Sequence, residues 1–124
     1  MTEALPEDVR RFVLDHVDSI AEMEALVMLV REPARAWPID QVVARLYISP
    51  DDAEATLERL RAAGLAERAA DGWRVAVVAE PRAGTLVRLV ALYATHLIPI
   101  TNLIHAKGSR IRRFADAFQL RKKD

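Results

Sequence analysis

Cysteine is absent from the 124-residue chain, which excludes disulfides and thiolate metal sites. Glycine is scarce, at four residues, and no tract is of low complexity, a globular rather than a disordered signature. The patterns that mark common chemistries are missing too. There is no glycine-rich phosphate loop, nucleophile elbow, zinc-protease helix or calcium loop. The three histidines, His16, His96 and His105, form no ligand pair, because the last two lie nine residues apart and on opposite faces of a helix. The chain is therefore read as no enzyme, with no metal and no cofactor. It shows no basic-then-apolar leader, and a cytoplasmic protein is expected.

What is present is a globular composition, 52% hydrophobic and 29% charged, on a chain of one-domain length. The net charge of zero hides an asymmetry. Met1 to Val30 carries seven acidic against two basic residues, and Lys107 to Asp124 carries seven basic against two acidic. The two ends have opposite signs and are suited to meet within a protomer, to meet across a dimer or to serve separate partners.

The apolar spacing predicts a helix from Pro6, with Val9, Phe12, Val13, Val17 and Ile20 on one face. Ser19 and Glu22 form a capping-box pattern, so either a second helix starts there or one helix runs on to Pro33. Trp37 and Ile39 are expected core anchors after a loop, and Asp40 to Tyr47 reads as a short helix with Val42, Val43 and Leu46 inward. Ser49-Pro50-Asp51-Asp52 then specifies a helix start, with a cap, proline at the first helical position and acids in the first turn. That helix turns Ala53, Leu57 and Leu60 inward and ends at Gly64, which can adopt the left-handed conformation of a helix terminus. A strand is expected from Leu65. Asp71-Gly72 is a hairpin signal before Trp73, Val75 and Val77, which alternate with Arg74, Ala76 and Val78.

The order short helix, tight turn, capped helix and hairpin is that of a winged helix-turn-helix. The stretch from Trp37 to Val78, about a third of the chain, resembles small bacterial regulators of the MarR, ArsR and PadR type, most clearly in YISPDDAEATLERLRAAGLAER followed by DGWRVAVV. The fold expected is mainly α with a small β-hairpin wing, flanked by an N-terminal helical segment and a long C-terminal dimerisation helix. One domain, 1–124, divides into the helical segment 1–32, the winged-helix core 37–78, the apolar helix 82–106 and a basic amphipathic tail 107–124.

In the apolar helix, Leu86, Val90, Tyr93, Leu97, Ile100 and Ile104 alternate steps of four and three, the seam of a packed helix pair. A homodimer interface is expected there, with a core helix of a single protomer as the alternative. Pro99 predicts a kink or break between Thr95 and Pro99. Leu89 to Ala106 holds no formally charged residue, but it contains Thr95, His96, Thr101, Asn102 and His105 and falls short of the ~20 apolar residues of a span, so no membrane insertion is expected. The tail brings Ile111, Phe114, Ala115 and Phe118 to one side of a last helix among arginines and lysines.

The resemblance implies double-stranded DNA as partner, with the capped helix in the major groove and the hairpin along the backbone. Arg59, Arg68, Arg74 and Arg82 are the candidate DNA-binding residues, in a homodimeric transcriptional regulator. The outward face of the capped helix carries Asp51, Ala55, Glu58 and Ala62, with Glu54 and Arg59 at its borders, and phosphate repels such carboxylates. A second reading is therefore an interaction module whose Asp51, Asp52, Glu54 and Glu58 bind a basic surface on a protein partner. A third is a ligand sensor with an apolar pocket near Tyr93, His96 and Thr101.

Overall fold

The computed structural model describes residues 5–76 and 78–107. Six helices and one two-stranded antiparallel sheet occur among them: α1 Glu7–His16, α2 Ile20–Arg31, α3 Ile39–Leu46, α4 Pro50–Ala62, β1 Ala66–Ala69, β2 Gly72–Val75, α5 Arg82–Thr95 and α6 Leu97–Lys107. The basic tail beyond Lys107 and residue Val77 lie outside the described residues.

The alternative left open at Ser19 is resolved in favour of two helices. Ser19 Oγ accepts from Glu22 N at 3.1 Å, while the Glu22 carboxylate accepts from Asp18 N at 3.1 Å and Ser19 Oγ at 3.3 Å. Reciprocal bonding of this kind satisfies donors that a helix start leaves free, so the chain breaks at Val17–Ser19 instead of running through.

Helix α4 begins and ends where local chemistry dictates. Ser49 Oγ accepts from Asp52 N at 3.1 Å, and Pro50 opens the helix with its fixed φ. At the other end Gly64 sits at φ +78, Gly64 N donates to Arg61 O and Leu65 N donates to Leu60 O. These two bonds are the crossed pair that terminates a helix on a left-handed residue. Ala53, Thr56, Leu57 and Leu60 are buried against α2 and α3.

The hairpin turn lies one residue earlier than the Asp71-Gly72 signal. Ala69 pairs with Gly72, so Ala70 and Asp71 make the turn, with Ala70 at φ +51, and Gly72 belongs to β2. Gly72 is there for proximity: a Cβ would lie 2.5 Å from both the carbonyl carbon and oxygen of Trp37. Trp37 N donates to Trp73 O at 2.7 Å and Trp73 N to Trp37 O at 2.9 Å, which docks the loop before α3 on the hairpin as a one-residue third strand. Both indoles are buried.

The expected long C-terminal helix is two helices meeting at 111°. Pro99 is the third residue of α6, where a missing amide costs nothing because first-turn N–H groups have no intrahelical partner. Thr101 Oγ1 donates to Leu97 O at 2.9 Å and Ile98 O at 3.1 Å. No single described helix is long and apolar enough to cross a membrane.

The bend turns the predicted seam onto its own chain. Leu86, Val90, Tyr93, Ile100 and Ile104 are buried in one core with Val9, Phe12, Leu26 and Leu29, and Leu97 alone of the six is exposed, at 48%. Helix α5, which carries Leu86, Val90 and Tyr93, packs on α1 and α2 of the same protomer. Two contacts across this region join acids of the N-terminal segment to cations of the C-terminal one. Arg88 pairs with Asp8, and Lys107 Nζ lies 2.6 Å from Asp18 Oδ1. Lys107 also donates to Val13 O and Val17 O at 3.4 Å, a cation on the carbonyl end of α1.

Candidate functional site

The surface built by α4, the α3–α4 turn and the hairpin holds nearly every residue singled out for binding. Each of the four candidate DNA-binding arginines already has a partner in the protomer. Arg59 Nε donates to Glu22 Oε2 at 2.9 Å, drawing the guanidinium from the α4 surface toward α2. Glu22 is only 2% exposed, so this bond and the cap at Ser19 serve a carboxylate that burial would otherwise leave unpaired.

Arg68, on β1, sits between α4 and the hairpin. Its Nη2 lies 3.4 Å from Glu58 Oε2 and 3.5 Å from Glu54 Oε1, and its guanidinium stacks 4.3 Å from the Trp73 ring centroid. Arg74 pairs with Glu67 at 2.7 Å, directly across the hairpin. Arg82 donates to Ala63 O at 3.0 Å, on the carbonyl end of α4. A fifth arginine, Arg61, pairs with Glu58 at 2.8 Å. The Arg61 hydrogen bond, with Arg68 beside it, holds the Glu58 carboxyl below the usual glutamate value.

The four candidate acids are divided by this network. Glu54 and Glu58 are half-buried under arginines, which departs from the expected outward position of Glu58. Asp51 and Asp52 are exposed and, among the described residues, face no cation. The N-terminal turn of α4 is thus acidic, and the turn before it carries an exposed aromatic, Tyr47.

Tyr47 caps α3 in the left-handed conformation at φ +57 and is 92% exposed. For a bulky residue that backbone conformation costs roughly 1–2 kcal/mol, yet the ring gains no burial in return. Sequence reasoning missed it, because Tyr47 reads as the last residue of a helical run and only the absence of a glycine or asparagine at the turn hints at strain. Between α4 and the hairpin lies a cleft of ≈ 230 Å³ lined by Ile39, Glu54, Arg68, Asp71 and Trp73.

Tyr93, His96 and Thr101, suggested for a ligand pocket, each have a partner within the protomer. Tyr93 is buried and donates to Glu24 at 2.6 Å, and burial together with that carboxylate raises its phenol above the ordinary tyrosine value. Thr101 is occupied by backbone, and Thr95 Oγ1 lies 2.8 Å from His96 Nδ1. No group of three metal-ligating side chains occurs among the described residues. No family profile, curated protein or solved structure matches the chain.

Proposed function

We propose that residues 37–78 form a winged helix-turn-helix used as a protein-interaction module, in which the exposed N-terminal turn of α4 and Tyr47 capture a basic surface on a partner. The observation that carries this reading is the sign of the leading edge. Asp51 and Asp52 stand exposed with no cation partner among the described residues, while Arg59, Arg68, Arg74 and Arg82 are all engaged within the protomer. An arginine or lysine brought to this edge gains two carboxylates and a ring face, the combination that favours charge-assisted bonding and cation–π stacking. A rigid, capped helix presents these groups at little entropic cost. With no cysteine to depend on an oxidising compartment, the reading is of a cytoplasmic protein.

The order of elements favours a competing reading, a homodimeric DNA-binding transcriptional regulator that contacts phosphate through the same four arginines. Half-exposed ion pairs are worth only about 0–1 kcal/mol and can exchange for phosphate. In such a dimer the exposed Val87, Leu97 and Ile98 replace the buried seam as contact surface.

One titration separates the two. The full chain is mixed at low salt with a labelled arginine-rich peptide and, separately, with random-sequence duplex DNA. The interaction reading expects peptide-induced amide shifts at Tyr47, Asp51 and Asp52, and at least tenfold weaker binding after Asp51→Lys with Asp52→Lys. Salt-sensitive duplex binding that weakens in Arg68→Gln and Arg74→Gln, with no peptide response, refutes it in favour of DNA.

A further inference from the structure

Between α2 and α3 lies a cleft of ≈ 170 Å³ lined by Glu24, Val27, Met28, Arg31, Glu32, Arg45 and Leu46. Its charged groups are not equivalent. Glu24 accepts the Tyr93 hydroxyl at 2.6 Å, and Glu32 is paired with Arg35 at 3.3 Å. Arg31 and Arg45 have no carboxylate partner among the described residues, and Arg45 has only the Trp37 ring, 5.7 Å away. The acids of the cleft are thus satisfied and its cations are not.

A basic residue in the last turn of a helix is explained by the helix dipole, and both Arg31 and Arg45 stand in such turns. The dipole does not explain why cations from two different helices converge on one cleft. Nor does it explain the apolar wall beside them, where Val27 and Leu46 are half-buried and Met28 is buried. Two arginines and three apolar side chains in one lining make the site amphipathic.

We propose that this cleft binds a small organic anion, a carboxylate with a short apolar body, with the charged head between Arg31 and Arg45 and the body against Val27, Met28 and Leu46. The volume admits a ligand of only a few heavy atoms beyond the head group, since one water occupies about 30 Å³ of liquid. Guanidinium forks match a carboxylate bidentately, which fixes the head, and the like charges of Glu24 and Glu32 keep a second carboxylate out. The site is independent of the acidic edge of α4 and stands whether the partner there is protein or DNA.

The test is amide chemical-shift titration of the full chain with hexanoate, hexanamide and inorganic phosphate. Hexanoate should shift the second half of α2 and the last turn of α3 with a dissociation constant on the order of 1 mM, the scale expected of so small a ligand. Arg31→Gln and Arg45→Gln, both at exposed positions, should each weaken it about tenfold, with unchanged thermal unfolding as the control for folding. Hexanamide should give no more than a tenth of the affinity. Equal binding of hexanamide, a response to phosphate but not hexanoate, or arginine variants that bind as the parent does would each overturn the proposal.

Discussion

Replacing Gly72 by alanine tests the packing of the hairpin against the α3 approach. The added Cβ would lie 2.5 Å from Trp37 C and O and 2.8 Å from Pro38 N. These are backbone atoms, and no side-chain rotation relieves the clash. Restoring a normal separation of about 3.5 Å moves the Trp37 segment off β2 by roughly 1 Å. The two hydrogen bonds between Trp37 and Trp73 then fail, at a net cost of about 1 kcal/mol each. Displacing two buried indoles adds about 1–3 kcal/mol of repacking strain. The lower entropy of the unfolded alanine chain offsets about 0.4–1 kcal/mol. A net loss of about 3 kcal/mol follows, or a fall in Tm of roughly 10 °C for a domain of this size.

Urea unfolding followed by tryptophan fluorescence is the natural assay, because the chain has two tryptophans and both report on this contact. Gly64→Ala is the matched control. It is strained by φ +78 but meets nothing within 4 Å, so it should cost only about 1–2 kcal/mol. Gly72→Asn separates the close approach from a turn requirement, since asparagine tolerates a left-handed turn and does nothing for a clash. A loss below about 1 kcal/mol for Gly72→Ala, or a stable Gly72→Asn, would refute the reasoning.

Three further outcomes are expected. Glu22→Ala should cost about 2–3 kcal/mol in urea denaturation, because Asp18 N, Ser19 Oγ and Arg59 Nε all lose their acceptor, whereas Glu22→Gln should cost about half as much; equal losses would argue against the capping role. Ser49→Ala should destabilise by about 1 kcal/mol, and helical content measured by circular dichroism should fray at the start of α4 without loss of tryptophan burial. His16, packed edge-on against Phe12, is held below the ordinary value of 6.5 by burial and then by Arg82. The unfolded chain therefore binds its proton first, so stability is fullest above pH 6.5 and falls as the pH drops toward the folded value. Urea midpoints at about pH 7.5 and about pH 5.5 should differ less in His16→Gln than in the parent, and an equal difference would exclude His16 as a source.

Much of the fold was legible where a few adjacent residues carry the whole cause. Ser49-Pro50-Asp51-Asp52 and Gly64 specify both ends of α4, Ser19 with Glu22 specifies the start of α2, and Pro99 forces the break between α5 and α6. Each is a local satisfaction of backbone donors and acceptors, which needs no knowledge of the rest of the chain. The candidate site was legible in composition alone. Its charged residues were found, but Tyr47 was not, nor was the pairing of Arg59 with Glu22 and of Arg68 with Glu54, Glu58 and Trp73, because which acid meets which arginine depends on how helices pack.

Sequence by itself determined a mainly helical chain with one hairpin, the periodic apolar faces and the acidic character of α4, all consequences of short-range spacing. Tertiary structure alone decided what those faces touch. An apolar seam of period three and four is equally content against its own chain or against a second copy, and in the folded protomer Leu86, Val90, Tyr93, Ile100 and Ile104 are buried in its own core. The same holds for Gly72, whose reason is the backbone of Trp37, and for Tyr47, whose exposure follows from where the turn places it. Periodicity states how much surface must be buried, and only the packed chain states against what.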